Sequence, residues 1–447
     1  MVESTRKKWV DYSADKKSRT QVDWESGKVT IEVLADPGAS EAEIRAKMKK
    51  AVSDLLANRG NATGFDLTAN KKNPVSDKPL LDGQIEHRDD IRYPFYQDFA
   101  GYKETEDQAV AAVVEQQVNL AFPEVTDGEF SKSLWHLDFV WGLKGVRRYI
   151  ADKGYFFRDL DEVAHYETRK DIGIDIQANL SGHDHAFIDH FNRLKAYAPS
   201  DATLKQCIPS PSHIYGELSM QDDIIGGQVY ESDEAFRADI VKAYKEFLDE
   251  FAANGGTIIQ FDDCLWELFA DDNPNSPFNG QEIDQSAMIG LAQIFIDLNN
   301  EVIAHGHSLG LKVYTHNCRG NYDSRNMGAG SYSSIAHLFL EKQNYDRFYL
   351  EWDDERAGDL SALAAFKNKP EAEVVIGLLS SKTNSLENEA EIKAQLEEAI
   401  KYIPKDKLYL SHQCGFASCD GGNELTVDEQ WAKIKQGQAI AFDFWGE

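Results

Sequence analysis

Seven stretches of the chain share one pattern, an apolar run that ends in a charged, hydroxyl-bearing or sulfur-bearing side chain. They are "AFPEVTDGE" (121–129), "LKQCIPSP" (204–211), "GTIIQFDD" (256–263), "LKVYTHNC" (311–318), "RFYLEWDD" (347–354), "AEVVIGLLSS" (372–381) and "KLYLSHQCG" (407–415). Runs of this kind, apolar on both faces, are how buried parallel strands read. Long amphipathic stretches separate them, such as "SAMIGLAQIFIDLNNEVIAHGHSLG" (286–310) and "ENEAEIKAQLEEAIKYI" (387–403). Strands alternating with helices predict a parallel α/β sheet. An eighth strand, expected upstream of residue 121 around 84–94, would close a (β/α)8 TIM barrel. The stretch 147–190 exceeds a simple connection and predicts an inserted hairpin and helix. An open doubly wound sheet is the alternative, but the glycine-rich nucleotide loop expected with it is missing.

Residues 1–86 follow a different pattern. "KVTIEVLA" (28–35) reads as a strand, and "SEAEIRAKMKKAVSDLLANRG" (40–60) as a helix whose Ser40 and Glu43 fit a capping box. A polar loop or linker rich in Asn, Lys and Pro follows. The expected organisation is a small α+β accessory region over 1–86 and a barrel over 87–447.

Composition narrows the partners. The 76 acidic against 47 basic residues leave a formal charge of −29, which disfavours nucleic acid and anionic membranes. Five cysteines in 447 residues do not make a disulfide scaffold and fit a reducing compartment. The opening "MVESTRKKWVDY" lacks the apolar segment of a signal peptide, so the expected location is cytoplasmic.

The strand ends carry the candidate chemistry, because functional groups of such barrels gather at the C-terminal ends of strands. His316 and Cys318 lie two apart where their strand ends, Glu351 ends the next, and Cys414 follows the last. Residues i and i+2 of a strand face the same way, so His316 and Cys318 can converge. One imidazole, two thiolates and one carboxylate make a tetrahedral zinc set. A core histidine and inert buried thiols are the alternative for each residue taken singly. Cys419, in the loop "CDGGN", reads as a surface thiol. A metal with two thiolates is soft, better suited to holding a substrate thiolate than to activating water. Glu129 and Asp262, at two further strand ends, could anchor the ammonium of an amino-acid thiol or simply be rim carboxylates.

The motifs "VTDGEFSKSLWHLDF", "IPSPSHIY", "IIQFDD", "THNCRGN", "FYLEWDDERAGD", "GLLSSKT" and "LSHQCGFAS" resemble the cobalamin-independent methionine synthases, most of all their short single-barrel bacterial relatives. The resemblance runs from about residue 105 to the C-terminus. It implies a barrel whose zinc activates homocysteine to accept a methyl group, with 5-methyltetrahydrofolate polyglutamate as donor. By position, the zinc ligands fall on His316, Cys318, Glu351 and Cys414, and the groups holding the homocysteine amine on Glu129 and Asp262. Three features depart from the family. Ser380 stands where full-length synthases carry a histidine. "QIEHRDDIRYPF", with His87, replaces a Gly-Ser-Phe motif that binds the substrate carboxylate. A second, folate-binding barrel does not fit within the chain. Another thiol acceptor, a methyl-corrinoid donor, or a non-catalytic envelope-associated fusion are the rival functions. The last arises because "DYSADKKSRTQVDWESGKVTIEVLA" and "PVSDKPLLDGQI" resemble the N-terminal region of membrane-bound lytic murein transglycosylases.

Overall fold

The computed structural model describes residues 18–23, 28–33, 101–149, 156–158, 164–167, 172–219, 229–270, 285–322, 324–326, 328–418 and 422–446. The helix expected over 40–60, the strand expected around 84–94, His87 and Cys419 lie outside the described residues. In the N-terminal region, β1 (Ser18–Asp23) and β2 (Lys28–Val33) form an antiparallel hairpin, so "KVTIEV" is a strand as its alternation requires.

The barrel begins with helix α1 (Tyr102–Asn119). Helix α2 (Leu137–Gly142) leads into β3 (Lys144–Tyr149), which pairs antiparallel with β6 (Gly173–Ser181). Between them β4 (Phe156–Arg158) and β5 (Ala164–Glu167) make a small hairpin. Helix α3 (Ala186–Tyr197) follows, so the region around 147–190 is the insertion that its length predicted.

From there strands and helices alternate. Strand β7 (Lys205–Pro209) is followed by α4 (Pro211–Ser219) and α5 (Asp233–Ala253). Strand β8 (Ile258–Asp262) precedes α6 (Gln285–Ser308) and β9 (Lys312–Asn317). Next come β10 (Arg347–Glu351), β11 (Glu373–Leu379), α7 (Glu389–Ala399), β12 (Leu408–His412) and α8 (Val427–Trp445). Strands β7 to β12 form one parallel sheet in sequential order. Three of these helices start on side-chain caps. Ser232 accepts from Ala235 N at α5, Asn388 from Ala390 N at α7, and Thr426 with Glu429 closes a capping box at α8.

Phe261, Val313, Phe348, Val374 and Ile376 share one face and are fully buried, and Gln260, Tyr314 and Val375 on the other face are buried too, so both faces of the sheet are covered, as parallel strands require. Interior contacts show that the sheet curls round on itself. Glu124 accepts from Tyr314 Oη at 3.2 Å on β9 and from Arg347 Nη1 at 2.5 Å and Tyr349 Oη at 2.9 Å on β10. Lys205 of β7 lies 3.8 Å from the same carboxylate.

The segment 121–129 departs from the expected strand. It meets the sheet at a single parallel bridge, Val125 to Leu204. Pro123 has no N–H to give a ladder, and Ala121, Gly128 and Glu129 all take positive φ, which ends extended structure on either side.

Candidate functional site

Strand β9 delivers His316 and, just past its last residue, Cys318. Register pairs His316 with Asp262 on β8 and with Tyr349 on β10. Strand β12 ends at His412, two residues before Cys414. Although β10 and β11 separate β9 from β12, one ligand atom from each of His316, Cys318 and Cys414 lies within 4.8 Å of the others. Barrel curvature brings them together across the mouth.

The loop carrying Cys414 is held by hydrogen bonds. Asn321 Nδ2 donates to Gly415 O at 2.6 Å and to Ser418 Oγ at 3.0 Å. Ser381 Oγ donates to Gly415 O at 2.9 Å, and Ser381 N to Gln413 Oε1 at 2.6 Å. These bonds fix the loop, and Ser418 Oγ reaches the thiol itself, 3.6 Å from Cys414 Sγ.

Electrostatics favour a thiolate there. The hydrogen bond from Cys318, acting against burial and helped by the neighbouring His316, holds Cys414 well below the usual thiol range. Burial would lower His316, but the Cys414 thiolate, Asp262 and Glu351 outweigh it and push the imidazole up to about 9. Hydrogen bonding to Cys264 and Cys414, with burial, raises Cys318. His316 Nε2 is buried with no hydrogen-bond partner. One imidazole and two thiols converging in this way make a soft divalent-metal donor set, and a bound cation would take the place of the protons these groups now share.

Glu351 is not among the three converging donors. As the residue after Leu350, which pairs with Asn317, it comes level with Cys318. Its Oε2 accepts from Arg319 N at 2.8 Å, and its Oε1 from Arg356 Nη2 at 2.9 Å and Lys382 Nζ at 3.3 Å. Those cations keep Glu351 ionised against a burial that works the other way.

A second group lies beside the first. Glu129, Cys207 and Asp262 each offer a ligand atom within 4.8 Å of the others. Gly128 and Glu129 both adopt the left-handed region, at φ 69° and 58°. A non-glycine residue in that region is uncommon, and here it follows directly on a glycine that adopts the same turn. Asp127 Oδ1 supports the turn by accepting from Glu129 N at 2.9 Å. Burial, opposed chiefly by His316, raises Asp262 to about 7.

Lys132 escaped the sequence reading. Its buried Nζ donates to Glu129 Oε1 at 2.5 Å and to Cys207 O at 2.8 Å. The (i, i+3) spacing of Glu and Lys in "GEFSK" was a signal for that pair, though the same spacing is common on solvated helix faces. Arg356 and Lys382, which hold Glu351, were also missed. Ser380 takes part in local structure, its N donating to Glu387 Oε1 at 2.9 Å and its Oγ accepting from Lys382 N at 3.3 Å.

Comparison with known proteins identifies the family. The sequence model of the "cobalamin-independent synthase, catalytic domain" matches residues 224–427. The uncharacterized protein YxjH of Bacillus subtilis is 33% identical over 344 residues, covering 77% of this chain and 86% of YxjH. The chain belongs to the cobalamin-independent synthase family. A second Bacillus subtilis relative, YxjG, is 33% identical over 346 residues. Among solved structures, a putative vitamin-B12 independent methionine synthase from Listeria monocytogenes is 28% identical. It has a TM-score of 0.56 and covers 77% of this chain and 88% of its own. A B12-independent methionine synthase from Shewanella sp. W3-18-1, solved with selenomethionine, shares the fold at 20% identity. Its TM-score is 0.57, and it covers 78% of this chain and 90% of its own. Family membership makes the chain a TIM-barrel enzyme of the methyltransferase class. The N-terminal domain of membrane-bound lytic murein transglycosylase C matches residues 1–103. That enzyme from Mannheimia succiniciproducens is 32% identical over 82 residues, 18% of this chain and 21% of its own length. No helix among the described residues is long and apolar enough to cross a membrane.

Proposed function

We propose that the protein transfers a methyl group to the sulfur of homocysteine, giving methionine. His316, Cys318 and Cys414 would hold zinc, with Glu351 as the fourth donor. The observation that carries the reading is the convergence of those three soft donors at the mouth of a methyltransferase-class barrel. Bound zinc would lower the acceptor thiol's proton affinity while leaving its sulfur nucleophilic.

The chain's own residues select and place the acceptor. Glu129 and Asp262 accept from its ammonium group. Lys132, ion-paired to Glu129 at 2.5 Å, supplies a cation for its carboxylate, a task the family gives to a Gly-Ser-Phe motif that is missing here. Held this way, the sulfur meets the methyl carbon in line, and most of the rate gain is proximity and alignment. Location in the cytoplasm fits this chemistry, which needs reduced thiols.

The methyl donor most in keeping with the family is 5-methyltetrahydrofolate, as its polyglutamate. Ser380 favours a second reading. A departing folate nitrogen needs a proton, and a serine hydroxyl is a poor acid; a methyl-corrinoid donor departs without one.

Zinc-edge absorption and paired transfer assays test both readings. Expected are two sulfurs and one imidazole around one zinc, and methionine formed from homocysteine with one of the two donors. Only oxygen and nitrogen neighbours at the thiolate site, or no transfer to homocysteine from either donor, would overturn the proposal.

A further inference from the structure

Helix α4 presents His213 and Glu217 one turn apart, and His136 from the start of α2 meets them. All three are buried, at 6%, 1% and 4% exposure. His136 Nδ1 lies 3.0 Å from Glu217 Oε2, and His213 Nε2 lies 3.7 Å from the same oxygen. One ligand atom from each falls within 4.8 Å of the other two. Trp135 covers both imidazoles, with ring centroids 4.9 Å from each.

The cluster is incompletely satisfied. Glu217 Oε1 and His213 Nδ1 are buried without a hydrogen-bond partner. Among the described residues, the ion pairs of Glu217 run to these two imidazoles and to no lysine or arginine. A buried carboxylate is normally paired or bound to a cation, because its desolvation is costly. A divalent cation among them would satisfy the carboxylate and take up the imidazole nitrogens that converge on it.

We propose that His136, His213 and Glu217 form a second metal site, separate from the thiolate cluster, for a borderline divalent ion such as Zn2+ or Co2+. Two imidazoles and one carboxylate, with no sulfur, match the ligand set of open zinc sites, which keep one position for water or an oxygen-bearing group. The site stands on different residues from the thiolate cluster and does not depend on which methyl donor the enzyme uses.

The test is cobalt reloading of the full-length, chelator-stripped protein. Two Co2+ per chain are expected, with sulfur-to-cobalt charge-transfer absorption from one of them. Glu217→Gln and His213→Ala should each bind one Co2+ with that absorption intact. Cys414→Ser should keep one Co2+ and lose the absorption. A wild-type crystal diffracted at the cobalt edge decides the matter even if a variant fails to fold. Anomalous density among His136, His213 and Glu217 supports the site; density confined to the sulfurs, or one Co2+ per wild-type chain, overturns it.

Discussion

His185 makes two hydrogen bonds that only one protonation state permits. Its Nε2 donates to Phe139 O at 2.8 Å, and its Nδ1 accepts from Phe187 N at 3.1 Å, capping α3. Protonating Nδ1 would break the cap. Burial accordingly lowers the imidazole from 6.5 to about 4. The folded value is depressed, so this contribution is full above pH 6.5 and is lost as pH falls toward 4. By pH 4.5 the loss should reach about 2–3 kcal/mol. His185→Asn keeps a capping side chain but does not titrate. Urea midpoints at pH 7 and pH 4.5 should therefore fall less for the variant than for wild type; parallel falls would contradict the assignment. At this scale the sequence was most readable where chemistry is unusual. A histidine and cysteine ending one strand stood out, and the structure brings them together with Cys414. Lys132 did not stand out, because one lysine among 47 basic residues looks like solvated surface until a fold buries it beside Glu129.

At the scale of elements, six of the seven apolar runs became ladder strands, because burial on both faces leaves a continuous apolar signature. The seventh, 121–129, is held by charge instead. Glu124 reaches Arg347, the first residue of β10, and Lys205, the first of β7, at the opposite end of the strands from the thiols. Those pairings join residues more than 200 positions apart for Arg347 and 81 apart for Lys205, which no local pattern could foretell. Glu124→Gln would remove one of the two carboxylates that face Arg347, leaving Glu373 at 2.7 Å, and should cost about 1–2 kcal/mol of stability. Zinc content should be unchanged, since the substitution is remote from the donors. Urea unfolding with metal analysis checks both; a variant as stable as wild type would show that Glu124 is not what seats the segment.

Over the whole molecule, two unrelated likenesses meet in one chain, one matching residues 1–103 and the other residues 224–427. Their different patterns made the change of character visible in the sequence, and the polar stretch that follows residue 60 set the expected boundary at 86 and 87. We propose that residues 1–86 are an accessory region and that the barrel runs over 87–447. A chain lacking residues 1–86 should then bind the same amount of metal as the full protein and keep its transfer rate within about twofold. Loss of metal, or insolubility corrected only by restoring the segment, would mean the two regions form one folding unit.

The sheet suggests how such a joining could be tolerated. Among the described residues, the ladder pairings that link β7 to β12 all lie at or beyond Lys205, and the bridge at Val125 joins that sheet at Leu204. A genetic exchange within residues 1–86 rewrites none of these pairings. Selection could thus vary the leading region of this protein, its length and ancestry included, while the six-stranded ladder that carries His316 and Cys414 is inherited unedited.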